Sequence, residues 1–168
     1  MSEIFVNKVA ESGILTLDLE DFYPKQDFLF FDLKEFLFMG LILKEKDYRE
    51  SLKNTDWSIY ENKIVGIVCT ADAIIPMWAY MLAVTYLQQK AKFVAIGNEQ
   101  TVKENFVAYQ IAQINLSDYT DKRVVVKGCG DIQISESAYT AITFKLLPVV
   151  KSIMYGEPCS TVPVYKKK

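Results

Sequence analysis

Apolar and polar residues alternate in Ile14-Leu15-Thr16-Leu17-Asp18-Leu19, the two-residue period of a half-buried strand. Pro24 and the charges around it break that run. Asp32-Leu33-Lys34-Glu35 has the spacing of a capping box, so a helix is expected to start there, with Gly40 ending it early. The charged stretch Lys44 to Lys53 reads as a solvated helix. From residue 58 the pattern becomes regular. Ile64-Val65-Gly66-Ile67-Val68 is the continuous apolar run of a strand covered on both faces. Pro76 suits a helix start, and Met77 to Leu87 is apolar almost all round, as in a helix buried in a core or an oligomer interface. Phe93 to Ile96 is a second strand; Val107, Ile111 and Ile114 mark an amphipathic helix, and Val124 to Val126 a third strand. Ser135 is placed to cap a helix carrying Ile142, Leu146, Val149 and Ile153, kinked at Pro148 and ended by Gly156. Thr161 to Tyr165 is an edge strand, since Pro163 cannot donate to a central ladder.

Strands alternating with helices predict right-handed crossovers and a mainly parallel sheet. The expected fold is therefore α/β: one domain with a mainly parallel sheet of about 4–6 strands and helices on both faces. Residues 58–168 would form its βαβαβαβ core, and residues 1–57 a strand/helix extension packed on it. Ser-x-Tyr-x-x-Lys recurs 59 residues apart, at Ser58, Tyr60 and Lys63 and again at Ser117, Tyr119 and Lys122. The same offset carries Asp72 onto Asp131 and Pro76 onto Ser135. These matches do not by themselves establish a duplication.

Composition then bounds the chemistry. The 168 residues are 51% hydrophobic and 24% charged, as in an ordinary globular protein. A net charge of −2 gives no reason to expect nucleic acid or an anionic membrane as a partner. The longest apolar stretch, Ile74 to Leu87, is shorter than the ~20 residues that cross a bilayer. Met1-Ser2-Glu3-Ile4 lacks the basic and apolar regions of a signal peptide, so a cytoplasmic location is expected. Histidine is absent, which excludes imidazole-based triads, bases and metal sites. Cys69, Cys129 and Cys159 are the only thiols, an odd number that suits free thiols or ligands in a reducing compartment better than a disulfide framework.

In open α/β sheets ligands bind beyond the carboxyl ends of the strands. Cys69-Thr70-Ala71-Asp72 and Gly128-Cys129-Gly130-Asp131 both fall there. Gly128 and Gly130 would let a ligand approach the backbone closely, so Asp72, Asp131, Gly128 and Gly130 are the candidate ligand-binding residues. Cys129, Cys159 and Cys69 are the candidate metal ligands, with Asp131 and Glu157 nearest to complete a set. Thiolates of this kind suit zinc or an iron–sulfur cluster, although no Cys-x-x-Cys spacing supports either. Cys69 ends an apolar run and reads equally as a small buried hydrophobe. Under the 59-residue offset Cys69 falls on Gly128 and Cys129 on Thr70, so the two thiols are not equivalent positions.

Val126 to Asp131, Glu136-Ser137-Ala138-Tyr139 and above all Lys151 to Pro163 resemble a bacterial family of unknown function, number 2480 in the domain-of-unknown-function series. Gly40 to Asp47 and Cys69 to Pro76 fit it too. The resemblance carries no established activity and transfers no catalytic residue. Its genomic surroundings imply a thiol- or metal-related role beside iron–sulfur assembly proteins. Three functional readings stay open. The first is a thiolate metal- or sulfur-handling accessory in iron–sulfur metabolism. The second is a non-catalytic homo-oligomeric interaction module with structural cysteines, a homodimer for example, whose helix after Pro76 and aromatic N-terminal segment form a dimer or partner interface. The third is a small-molecule enzyme using Asp72 and Asp131.

Overall fold

The computed structural model describes residues 13–26, 28–128, 130–157 and 159–168. It is an α/β protein whose strands divide between two main sheets instead of lying in one. The chain forms two compact units: residues 1–23 with 107–168 make unit 1, and residues 24–106 make unit 2.

Unit 2 opens with strand β2 (Phe28–Asp32), which leads into a 3-10 turn over Leu33–Phe36. Asp32 does cap, accepting the Lys34 N–H at 3.0 Å, but the result is this single turn and not a helix. A two-residue ladder, β3 (Leu37–Phe38) with β4 (Ile42–Leu43), turns at Met39 and Gly40, both at positive φ. Helix α1 (Glu45–Asn54) is charged outside, yet it buries Tyr48 and Leu52 completely. Strand β5 (Ile64–Val68), helix α2 (Met77–Leu87) and strand β6 (Phe93–Ile96) complete the unit in parallel order β2-β5-β6. Helix α2 is only half interior. Ala79, Ala83 and Leu87 are buried, whereas Met77 and Met81 are 67% and 69% exposed. Its core is strongly aromatic: Phe31 stacks on Phe36 and Trp57, and Trp57 on Tyr86.

Helix α3 (Glu99–Ala112) contains the division between the units, after Phe106. In unit 1, β1 (Ile14–Asp18) pairs in parallel with β7 (Arg123–Lys127), and β7 with β8 (Ser152–Glu157). Strand β9 (Ser160–Lys166) returns antiparallel along β8, an edge strand as Pro163 predicts. Helix α4 (Glu136–Leu146) stops at Leu146, before Pro148. The apolar period therefore misleads beyond that point, because Ile153 lies on β8 and not on a kinked helix. A proline removes the donor that helix continuation needs, and here the chain leaves the helix altogether.

The 59-residue repeat is structural. Shifted by that offset, β5, α2 and the start of β6 become β7, α4 and the start of β8. The 3-10 turn Trp57–Tyr60 likewise becomes Leu116–Tyr119. Asn62 and Asp121 share a left-handed φ of 58° and 55°, and Gly97 and Gly156 share φ of 130° and 120°. Even loop hydrogen bonds correspond: Lys92 N–H to Lys63 O matches Lys151 N–H to Lys122 O, each at 2.8 Å. The N-terminal strands match as well, at an offset of 14. Leu17-Asp18-Leu19-Glu20-Asp21-Phe22 and Phe31-Asp32-Leu33-Lys34-Glu35-Phe36 each run from a strand into a 3-10 turn capped by the Asp. Asp18 stands beside Lys127 as Asp32 stands beside Val68. Each unit is thus one copy of the same strand, strand-helix-strand plan.

Candidate functional site

At the carboxyl end of the unit 1 sheet, three adjacent strands each end in a charged side chain. Asp18 ends β1, Lys127 ends β7 and Glu157 ends β8. Lys127 Nζ lies 3.1 Å from Asp18 Oδ2 and 3.7 Å from Glu157 Oε1. The hydrogen bond and charge of Asp18, with the charge of Glu157, hold the Lys127 ammonium above the usual lysine range. Lys127 is therefore a fixed cation at neutral pH and no amine nucleophile. Asp18 also accepts the Glu20 N–H at 3.0 Å, so the 3-10 turn and the ion pair share one carboxylate.

The loop after β7 closes over this edge. A Cβ at Gly130 would lie 1.9 Å from Glu20 Oε1, so any larger residue there would have to displace that carboxylate. Glu20 Oε1 is itself buried and has no hydrogen-bond partner among the described residues. A buried carboxylate oxygen without a donor is uncommon and draws a proton donor or a cation. Tyr139 on α4 donates its hydroxyl to the Gly128 carbonyl at 3.3 Å, and a Cβ at Gly128 would lie 2.5 Å from that oxygen. The Ser135 N–H at the start of α4 donates to Tyr23 Oη at 2.8 Å, so the helix N-terminus is partly occupied by the protein itself. An apolar cavity of about 350 Å³ adjoins the edge, lined among others by Tyr139, Tyr155 and Met154.

Among the candidate residues, unit 1 gathers Gly128, Gly130, Asp131 and Cys159 near the loop end of β7 and β8. Asp131 is exposed, and so is the Cys159 thiol, which sits in the turn between β8 and β9 two residues beyond Glu157. Cys129 lies outside the described residues. Cys69 and Asp72 belong to unit 2. There the Cys69 thiol, half-buried, points at the Ala71 carbonyl at 3.6 Å, and Asp72 is exposed. Among the described residues no three Cys, Asp or Glu side chains come together as a metal site.

The same edge in unit 2 is built differently. Val68 replaces Lys127, and Asp32 turns to Thr70, accepting its N–H at 3.1 Å and its hydroxyl hydrogen. Burial pulls the Asp32 carboxyl up. Its bonds from Thr70 and Lys34, with the Lys34 charge, outweigh that and hold it below the ordinary aspartate value. The unit 2 edge is thus latched by Asp32 and Thr70 with a half-buried thiol, whereas the unit 1 edge carries a three-membered ion-pair cluster and an exposed thiol. Asp18, Glu20 and Lys127 are the residues that inspection of the sequence misses. The signal was present in the repeated Asp-Leu-x-acid-Phe of residues 18–22 and 32–36.

Fold and edge together define an internally duplicated α/β protein with an ion-paired strand-end edge and an exposed thiol in unit 1. The chain belongs to the family described as "Protein of unknown function (DUF2480)", which it matches over residues 3–167. No curated protein and no solved structure matches it. Among the described residues no helix is long and apolar enough to cross a membrane.

Proposed function

We propose that the unit 1 edge handles sulfur through an exposed thiol, as an accessory to iron–sulfur assembly in a reducing, cytoplasmic setting. The observation that carries this reading is the placement of Cys159. It is exposed in the turn between β8 and β9, two residues beyond Glu157, whose carboxylate adjoins the Lys127 cation. A carrier thiol must reach a donor and an acceptor protein, which an exposed turn allows and a buried strand does not. The reading needs one accessible thiol, whereas a metal centre needs several converging ligands. The step is a sulfane transfer without net redox. The Cys159 thiolate attacks the outer sulfur of a protein or low-molecular-weight persulfide, the donor S–S bond breaks, and the donor thiolate leaves. Lys127, ion-paired to Glu157 at the same strand-end edge, is the cation this reading assigns to the anionic product persulfide.

Intact-mass spectrometry after exposure to glutathione persulfide tests this. One added sulfur on Cys159 is expected, lost in Cys159→Ser and formed more slowly in Lys127→Gln. Uptake that is absent, or unchanged in Cys159→Ser, refutes the reading.

A further inference from the structure

The two copies of the repeat differ in one structural respect that points to a partner. In unit 1 the sheet order is β1-β7-β8-β9, and in unit 2 it is β2-β5-β6. Among the described residues the second sheet has no strand corresponding to β9. The chain diverges at twin glycines: after Gly156 it turns back as a hairpin, and after Gly97 it enters helix α3. Strand β6 is consequently the edge at the place where its twin, β8, is covered.

Backbone geometry says which groups this edge presents. The N–H groups of Phe93 and Gly97 point to β5, at Lys63 O and Ile67 O. In a parallel strand alternate residues face opposite neighbours, so the N–H and C=O of Val94 and Ile96 face outward. Their twins Ile153 and Tyr155 are aligned with Tyr165 and Val162 of β9 in the antiparallel ladder. The repeat therefore shows what covers an edge of this construction: one antiparallel strand.

We infer that β6 pairs antiparallel with β6 of a second copy of this chain, joining two three-stranded sheets into one six-stranded sheet across a two-fold axis. A two-fold axis makes identical edge strands antiparallel automatically, which is the orientation that β9 has on β8. A register centred on Ala95 sets Val94 against Ile96 of the other copy and uses all the outward groups of both residues. The flanking charges agree with it. Lys92 precedes the strand, Asn98 and Glu99 follow it, and the register brings Lys92 beside Asn98 and Glu99 of the other copy at both ends. The Ile96 side chain, 51% exposed, gains cover in the pair. Natural sheets blunt bare edges with proline, inward charge or a bulge, and Phe93-Val94-Ala95-Ile96 has none of these.

The test is light scattering coupled to gel filtration on the full chain across a wide concentration range. The wild type is expected to be a dimer. Ile96→Lys sets an ammonium diagonal to its own copy and to Lys92. It should raise the dissociation constant by about tenfold or more, with an unchanged circular dichroism spectrum. Ala95→Cys should form a 95–95 disulfide between copies under mild oxidation, identified by peptide mass spectrometry. A monomeric wild type, or a dimer whose affinity Ile96→Lys leaves unchanged and in which Ala95→Cys forms no such link, overturns the inference.

Discussion

At the scale of the residue, the two aspartates that begin the 3-10 turns show how one position serves two ends. Asp18 and Asp32 both accept the N–H two residues on, at 3.0 Å. Their second interactions differ, an ion pair to Lys127 in one case and the Thr70 latch in the other. Because the folded Asp32 carboxyl lies below its ordinary value, the stability it contributes is fully present above the unfolded value, near pH 4. It is lost as pH falls through the lower, folded value. Asp32→Ala should cost about 1 kcal/mol at neutral pH, the usual scale of a lost cap. Its loss of stability between pH 4 and the acid transition should be shallower than that of the wild type. Urea midpoints measured at several pH values check this, and parallel pH profiles for the two proteins would contradict it. The missing histidines act at this scale too. They left thiols and carboxylates as the reactive groups, and the unit 1 edge is built of those with one lysine.

At the scale of the element, the repeat explains a pair of residues that look arbitrary alone. Gly66 interrupts the apolar strand β5, and its neighbour across the ladder is Phe30. A Cβ at Gly66 would lie 2.6 Å from the Phe30 ring and 3.0 Å from Val102. The twin pair in unit 1 is Thr16 beside Val125, so one copy places the bulk on the first strand and the other on the second. Gly66→Val alone should cost about 1–3 kcal/mol through overpacking. Phe30→Thr alone should cost about 1–2 kcal/mol of lost apolar burial. Since each change relieves the other, the double variant should be more stable than the sum by about 1 kcal/mol. A denaturation cycle that shows simple additivity would mean the two sites are not exchanging volume.

The same comparison shows why part of the fold was legible in the sequence and part was not. Strands β5, β6 and β7 were readable because their apolar runs end at turn residues. Strand β2 was not, since Phe28-Leu29-Phe30-Phe31 has no alternation and the Asp32 cap behind it suggested a helix. Strand β8 was hidden because Val149 and Ile153 happen to continue the helical period of α4 past Pro148. The duplication was faint for a related reason. Twin positions keep their role while changing their size, as Ala83 and Ile142 do, both wholly buried. At the site, Asp131, Gly128 and Gly130 could be found from their place after a strand, and Glu157 from the turn held by Gly156 and Pro158. Lys127 could not, because its partner Asp18 is far away in sequence and only the parallel pairing of β1 with β7 brings them together.

At the scale of the whole molecule, the two units differ in how the chain supplies them. Unit 2 is one continuous stretch, residues 24–106, whereas unit 1 takes its first strand from before that stretch and the rest from after it. A chain truncated after Phe106 keeps all three strands of the second sheet and both Val102 and Phe106 of its smaller core. Limited proteolysis of that truncated chain should leave a resistant fragment beginning after Tyr23, with Ile14–Asp18 cut away. Digestion without any resistant fragment would show that unit 2 cannot hold together by itself.

That arrangement has a consequence during synthesis. On the ribosome Ile14–Asp18 emerges before unit 2, yet its sheet neighbour among the described residues, Arg123–Lys127, follows after the whole of unit 2 has been made. For that interval β1 is an unpaired apolar strand, while a sister strand with the same Asp-Leu-x-acid-Phe ending, β2, finds β5 much sooner. The two strands are similar enough to compete for one place, and a chain in which β1 took the place of β2 would be trapped. What discriminates is bulk: Phe30 fills the gap above Gly66, and Thr16 would leave it empty. The glycine in the middle of β5 is, on this view, a lock that admits the later strand and refuses the earlier one.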